Sequence, residues 1–247
     1  MTMMILSTFP QIMDGCTVLV HWKVGLNRGG CIHVSVPFGT ENPSLVAELC
    51  VIRHLLLRQK VFNVLPMSGK GISLYVSTGA IRKLLLGTSN KRDAQRYAAF
   101  LKPRFEGIEI KVVHESIQDY PKSEDEANHH QINVSDPYFA SPYDPVVGPA
   151  IGQVIITSHA VEQYVKRSGV ELIKNPWASL AHRLMHEELK ILPLPEQVIR
   201  HKERKYGKNN MVEAWGHENS LFGYLVITDE TGQRLVVTVY RRQPTQG

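Results

Sequence analysis

Four groups of residues in this 247-residue chain combine types and spacings that chemistry could use. His159, Glu162, Gln163 and Lys166 fall at i, i+3, i+4 and i+7, so they share one stripe if their segment is helical. An imidazole can pass a proton to a leaving 5′-oxygen while a lysine balances charge growing on phosphorus. His159, Glu162 and Lys166 are therefore candidate catalytic residues for RNA cleavage without a metal. In "RHKERKYGKNN", Arg200 to Asn210, the cations Arg200, Lys202, Arg204, Lys205 and Lys208 surround Tyr206 against a single acid, Glu203. Phosphates can take the charges and an unstacked base can lie on the ring. Lys91, Arg92, Arg96, Lys102 and Arg104 form a second basic group and are candidate phosphate contacts. Last, "YVSTGA" places Ser77, Thr78 and Gly79 where a strand turns into a helix, a position that caps the helix or receives an anion.

These groups need elements to hold them. Val18 to Gly25 and Cys31 to Phe38 are β-rich runs joined by an Asn- and Gly-containing loop, which predicts a hairpin. Asn42-Pro43 then opens a helix with Leu45, Leu49, Ile52 and Leu56 on one stripe, and Glu48 beside them. Ile72 to Val76 reads as a short strand, 80–86 and 93–101 as helices, and Ile108 to His114 as a late strand, with a further possible strand at 61–65. The acidic, proline-bearing stretch 119–150 reads as a linker between domains 1–118 and 151–247. In the second domain a strand at 152–157 leads to a helix capped by Ser158, with Val161, Tyr164 and Val165 facing inward. A helix at 176–188 and strands at 211–217, 221–228 and 234–240 complete it.

The order of elements in the first domain resembles the ribonuclease H-like fold, an α/β mixed sheet with helices, over roughly Thr17 to Asn128. Nucleic-acid-cutting members of that family gather about four carboxylates around two Mg²⁺ ions. At the corresponding places this chain offers His21 or Lys23 on the hairpin strand, Glu48 on the helix, Ser77 at the strand end, and Glu124, Asp125 or Glu126 near the close. His21, Glu48, Ser77 and Asp125 are thus the expected degenerate site of a catalytically inactive domain. In the second domain "ITSHAVEQYVKRSG" and "RLVVTVYRR" resemble small phage- and plasmid-encoded domains of the BrnT and RelE toxin-ribonuclease type. That resemblance implies a small α+β domain with two helices and a three- to four-stranded antiparallel sheet. Gln163 stands where that family often has arginine.

The charge distribution points the same way. Residues 1–120 carry 14 Lys+Arg against 8 Asp+Glu, 121–150 carry 1 against 5, and 151–247 carry 13 against 10. Two basic bodies flank an acidic strap, which favours a polyanionic partner. The reading expected from sequence is an RNA- or ribonucleoprotein-binding protein, with two rivals. One is a metal-independent endoribonuclease in the second domain, and the other is a protein-binding regulator of a host enzyme. No cofactor is expected, and no metal, since His129 and His130 lack a second pair at ligand spacing. Cys16, Cys31 and Cys50 have no C-x-x-C spacing and cannot all pair. No apolar run reaches about 18 residues, so a cytoplasmic protein without a membrane partner is expected.

Overall fold

The stripe Leu45–Leu49–Ile52–Leu56 forms the expected helix, α1 (Pro43–Arg53), continued by one π-helical turn, His54–Arg58. Burial goes further than a stripe. Every residue from Leu45 to Arg53 is buried, because strands cover α1 on one side and helices on the other. This is a computed structural model, and it describes residues 3–25, 28–105, 107–121, 130–141, 144–169, 173–194, 196–207 and 210–242. The chain divides into two units, Met1–Pro142 and Tyr143–Gly247, each built on a six-stranded mixed sheet.

The strands of the first unit are β1 (Met4–Ile12), β2 (Thr17–Val24), β3 (Arg28–Ser35), β4 (Ile72–Val76), β5 (Glu109–Val112) and β6 (His130–Asn133). They stand in the order β5-β4-β1-β2-β3-β6. β1, β2 and β3 form an antiparallel meander, while β4 runs parallel to β1, β5 to β4 and β6 to β3. Helices α2 (Ala80–Leu85), α3 (Arg92–Ala98) and α4 (Leu101–Arg104) fill the crossover from β4 to β5 and join α1 in one apolar core.

The structure corrects the sequence reading of this unit at its start. The first strand is β1, not the run beginning at Val18, and β1 lies in the middle of the sheet. Pro10 and the Ser7-Thr8 pair obscure it. Proline is tolerated there because β4 pairs with β1 only as far as Ser7, so one side of Pro10 needs no N–H. Residues 61–65 form turns and bends rather than a strand.

The predicted linker is also largely structured over 130–150, carrying β6, α5 (Pro137–Ala140) and β7 (Pro145–Gly148). Two of its prolines open elements, where an N–H is not needed. Pro137 opens α5 behind Asp136, whose carboxylate accepts from Tyr138 N at 2.9 Å, and Pro145 opens β7. Asp125, with the rest of 122–129, lies outside the described residues.

The second unit continues through β8 (Gly152–Ile156), α6 (Ser158–Ser168), α7 (Pro176–Leu184), β9 (Lys190–Leu192) and α8 (Glu196–Tyr206). β10 (Met211–Gly216), β11 (Phe222–Thr228) and β12 (Arg234–Arg241) close it. The sheet order is β7-β8-β12-β11-β10-β9, with β8 parallel to β12. The expected three- to four-stranded antiparallel sheet is therefore a six-stranded mixed one. It is larger because β7 and β9, each only three or four residues long, add to its edges.

Thr157 rather than Ser158 caps α6, its Oγ1 accepting from Ala160 N at 3.2 Å, and Gly169 ends the helix in the left-handed region at φ +69°. The inward side of α6 carries Ala160 and Tyr164, whereas Val165 is 36% exposed. The basic run up to Tyr206 is the end of α8. No helix among the described residues is long and apolar enough to cross a membrane. The three cysteines are free thiols.

Candidate functional site

In the first unit the chemistry-bearing residues meet where β1, α1 and the end of β4 converge. Thr8 follows Leu6 on the face of β1 that looks at α1. Its Oγ1 donates to Glu48 Oε1 at 2.8 Å. Ser77, one residue past β4, donates its backbone N–H to the same oxygen at 2.9 Å and its hydroxyl to Oε2 at 2.6 Å. Glu48 is wholly buried. Burial pushes its carboxyl up to about 7, against the three hydrogen bonds that pull it down.

The corner offers one carboxylate and two hydroxyls, with both carboxylate oxygens already occupied. That is a poor set for Mg²⁺, which is held through carboxylates, phosphates and retained waters. One neighbouring donor is likewise spent locally, the Ala80 N–H, which donates to Thr78 Oγ1 at 3.3 Å. The junction is built to satisfy Glu48 and its own turn.

Glu48 and Ser77 thus come together as the sequence suggested, but His21 does not join them. It pairs with Phe9 across β1 and β2, and neighbours on a strand point to opposite faces, so His21 lies on the face away from Glu48. There its Nε2 is 3.3 Å from Gln11 Oε1, its ring lies 6.5 Å from Phe9 and 6.1 Å from Tyr120, and burial lowers its pKa. Lys23, on the same face, is held by Glu115 at 3.0 Å and by the Asp119 carbonyl at 3.0 Å. The residue that takes the first-strand position is Thr8, which the sequence reading missed because it missed the strand.

The basic group of this unit divides in two. Arg92 and Arg96, both exposed, line an open groove of about 420 Å³ with Phe38, Thr40, Glu41 and Tyr97. Phe38 is 88% exposed, and the Arg96 guanidinium lies 4.7 Å from the centre of the Tyr97 ring. Cations beside an open aromatic suit a single-stranded polyanion. Asp93 anchors α3 beneath the groove by accepting from Asn42 N and Nδ2, each at 3.0 Å. Lys91 precedes α3 and is outside the lining. Arg104 is 2% exposed, so this member of the expected surface group belongs to the interior.

In the second unit, His159, Gln163 and Arg167 project from α6 into a cavity of about 600 Å³ whose other walls include Leu194, Val198, Thr238 and Tyr240. Arg167 Nη1 donates to the Val239 carbonyl, which fixes it against β12. Of the residues predicted with His159, Glu162 lies 3.9 Å from its Nδ1 but is 73% exposed, and Lys166 is exposed. Neither lines the cavity. The cation at the cavity is Arg167, which lies one position beyond the predicted stripe. Arg200 and Arg204 are exposed on α8, where Arg200 pairs with Glu196 at 2.8 Å. Lys208 and the side chains of Lys202, Lys205 and Tyr206 lie outside the described residues. Compared with protein-family models, curated proteins and solved structures, this two-unit chain matches none of them.

Proposed function

We propose that the chain is an RNA- or ribonucleoprotein-binding protein whose first unit is a ribonuclease H-like scaffold without a metal-dependent centre. Support for the scaffold comes from its order of elements: a meander, a glutamate-bearing helix, a strand-to-helix step and a late strand. The observation that carries the reading is the corner itself, where Thr8 and Ser77 stand with a single sealed carboxyl, Glu48. With that corner closed, the basic surfaces are the parts left to act. They are the Arg92–Arg96 groove with Phe38 and the cationic end of α8.

RNA affinity is expected to fall steeply with salt, because each neutralised phosphate releases counterions. Replacing Lys202, Arg204 and Lys205 together by alanine should lower affinity and reduce the slope of log K against log salt by about 2, at roughly 0.7 per phosphate of a single strand. Arg92→Ala with Arg96→Ala tests the other unit separately. Affinity that is indifferent to salt overturns the proposal.

One observation favours a second reading, cleavage in the second unit: His159 opens onto a cavity that also holds Arg167 and Tyr240. Cleavage there would persist in EDTA and vanish in His159→Ala. RNA left intact by the unaltered protein after prolonged incubation removes this reading.

A further inference from the structure

The second unit carries another group of convergent side chains, away from the α6 cavity. His186 and Glu188 lie between α7 and β9, and His217 follows β10. Antiparallel pairing of Gly216 with Lys190 brings these two chain segments together. One ring nitrogen of each histidine and one carboxylate oxygen of Glu188 fall within 4.8 Å of one another. His217 Nε2 is 2.7 Å from Glu188 Oε2, and the two imidazoles meet edge to face with centroids 4.6 Å apart. Each ring is aimed by its own turn: Glu188 N–H donates to His186 Nδ1 at 3.2 Å, and Asn219 N–H to His217 Nδ1 at 3.1 Å. Beside the group lies an open cavity of about 410 Å³, with Arg183, Phe222 and Tyr224 among its walls.

A histidine–carboxylate hydrogen bond needs only His217 and Glu188. It leaves unexplained a second imidazole brought to the same point. We propose that His186, Glu188 and His217 form a binding site for a divalent transition-metal ion of the zinc type. The three protein ligands would leave a further coordination position open to the adjoining cavity. Two imidazoles and one carboxylate favour zinc and its neighbours over Mg²⁺ or Ca²⁺, which prefer all-oxygen sets.

Coordination moves the His217 ring proton from Nε2 to Nδ1 and gives up the Asn219 contact, and His186, whether it binds through Nδ1 or moves its proton there to bind through Nε2, gives up the contact with Glu188 N–H; both lie at exposed turns where water can replace them. The His217–Glu188 pair must open from 2.7 Å to about 3.3 Å, the ligand spacing of a tetrahedral site with bonds near 2.0–2.1 Å. Glu188 is 71% exposed and has room for that shift.

The test is calorimetric titration of the full chain with Zn²⁺, alongside His186→Ala, Glu188→Gln, His217→Ala and a His129→Ala/His130→Ala control. One ion per chain is expected, with affinity reduced at least about tenfold in each single variant, as loss of one of three ligands demands, and unchanged in the control. Glu188→Gln sits at an exposed position and leaves the fold intact, as circular dichroism will confirm, so it carries the test if a histidine variant misfolds. No stoichiometric binding, equal binding in Glu188→Gln, or loss in the control instead overturns the proposal.

Discussion

Alanine at position 48 is expected to lower the stability of the first unit by about 3 kcal/mol at pH 5, and glutamine by far less. At pH 5 the carboxyl is protonated, so alanine removes the acceptor of two donors, Thr8 Oγ1 and Ser77 N, and the hydroxyl that donates to Ser77 Oγ, and leaves a hole beneath β1 and β4. Buried donors without acceptors cost about 1–3 kcal/mol each, although partial relaxation keeps the sum below two full penalties. Glutamine fits the same pattern. Its carbonyl oxygen can accept from Thr8 and Ser77 N, while its amide donates to the Ser77 hydroxyl where Oε2 now stands.

The two variants also separate in their pH dependence. The Glu48 carboxyl is raised by burial from an ordinary value near 4.5 to about 7 in the folded chain. Between these values the native state keeps a proton that the unfolded state has released, so unfolding free energy falls as pH rises. The carboxyl's contribution is fully present below about pH 4.5 and is lost as pH climbs through about 7, a change on the order of 3 kcal/mol. Glu48→Gln has no such slope. Urea unfolding of both proteins at several pH values, compared by difference, isolates position 48 from every other titrating group. A difference that stays constant across the window contradicts the buried-carboxyl account. RNA affinity should be unchanged in Glu48→Gln, because the proposed contact surfaces lie elsewhere. A folded Glu48→Gln protein that loses RNA would give the corner an active role and overturn the scaffold reading.

The parts of this corner differ in how plainly the sequence announces them, and the reason is periodicity. Glu48 and Ser77 were legible because α1 has an unbroken 3.6-residue pattern and β4 is a short β-rich run that passes directly into a helix. Thr8 was not, since Pro10 and the Ser7-Thr8 pair hide a central strand whose partners come from residues 17–24 and 72–75. His21 took its place in the sequence reading only because the strand before it went unseen. The short edge strands β6, β7 and β9 carry three or four residues each, too few for alternation to show, and they exist because a longer neighbour offers its edge. His217 and Glu188 are 29 positions apart and meet through the pairing of β9 with β10, so no local spacing could reveal them.

Arg53 is the other position where one substitution should have a large effect, with Arg53→Met expected to cost about 2–4 kcal/mol, since two buried carbonyls lose a charged donor. The side chain is wholly buried at the end of α1. Its Nη1 donates to the Phe139 carbonyl at 3.4 Å and to the Ser141 carbonyl, and its guanidinium lies 4.3 Å from the Tyr138 ring centre and 5.2 Å from that of Phe100. Arg58, one turn on, covers Tyr138 at 3.7 Å and pairs with Asp136 at 3.4 Å, but at 45% exposure that pair contributes little. Arg53 therefore fixes α5 and the strand before it to α1. Methionine fills much of the space but leaves two carbonyls without their donor. Lysine keeps a charge without the planar group that lies against the rings. The loss should appear first as faster amide exchange at Ile132 and Val134, where β6 and its extension pair with β3, and only then as global unfolding. An Arg53→Met protein that melts with the unaltered chain and protects those amides equally would show that β6 and α5 hold to the sheet without the clamp.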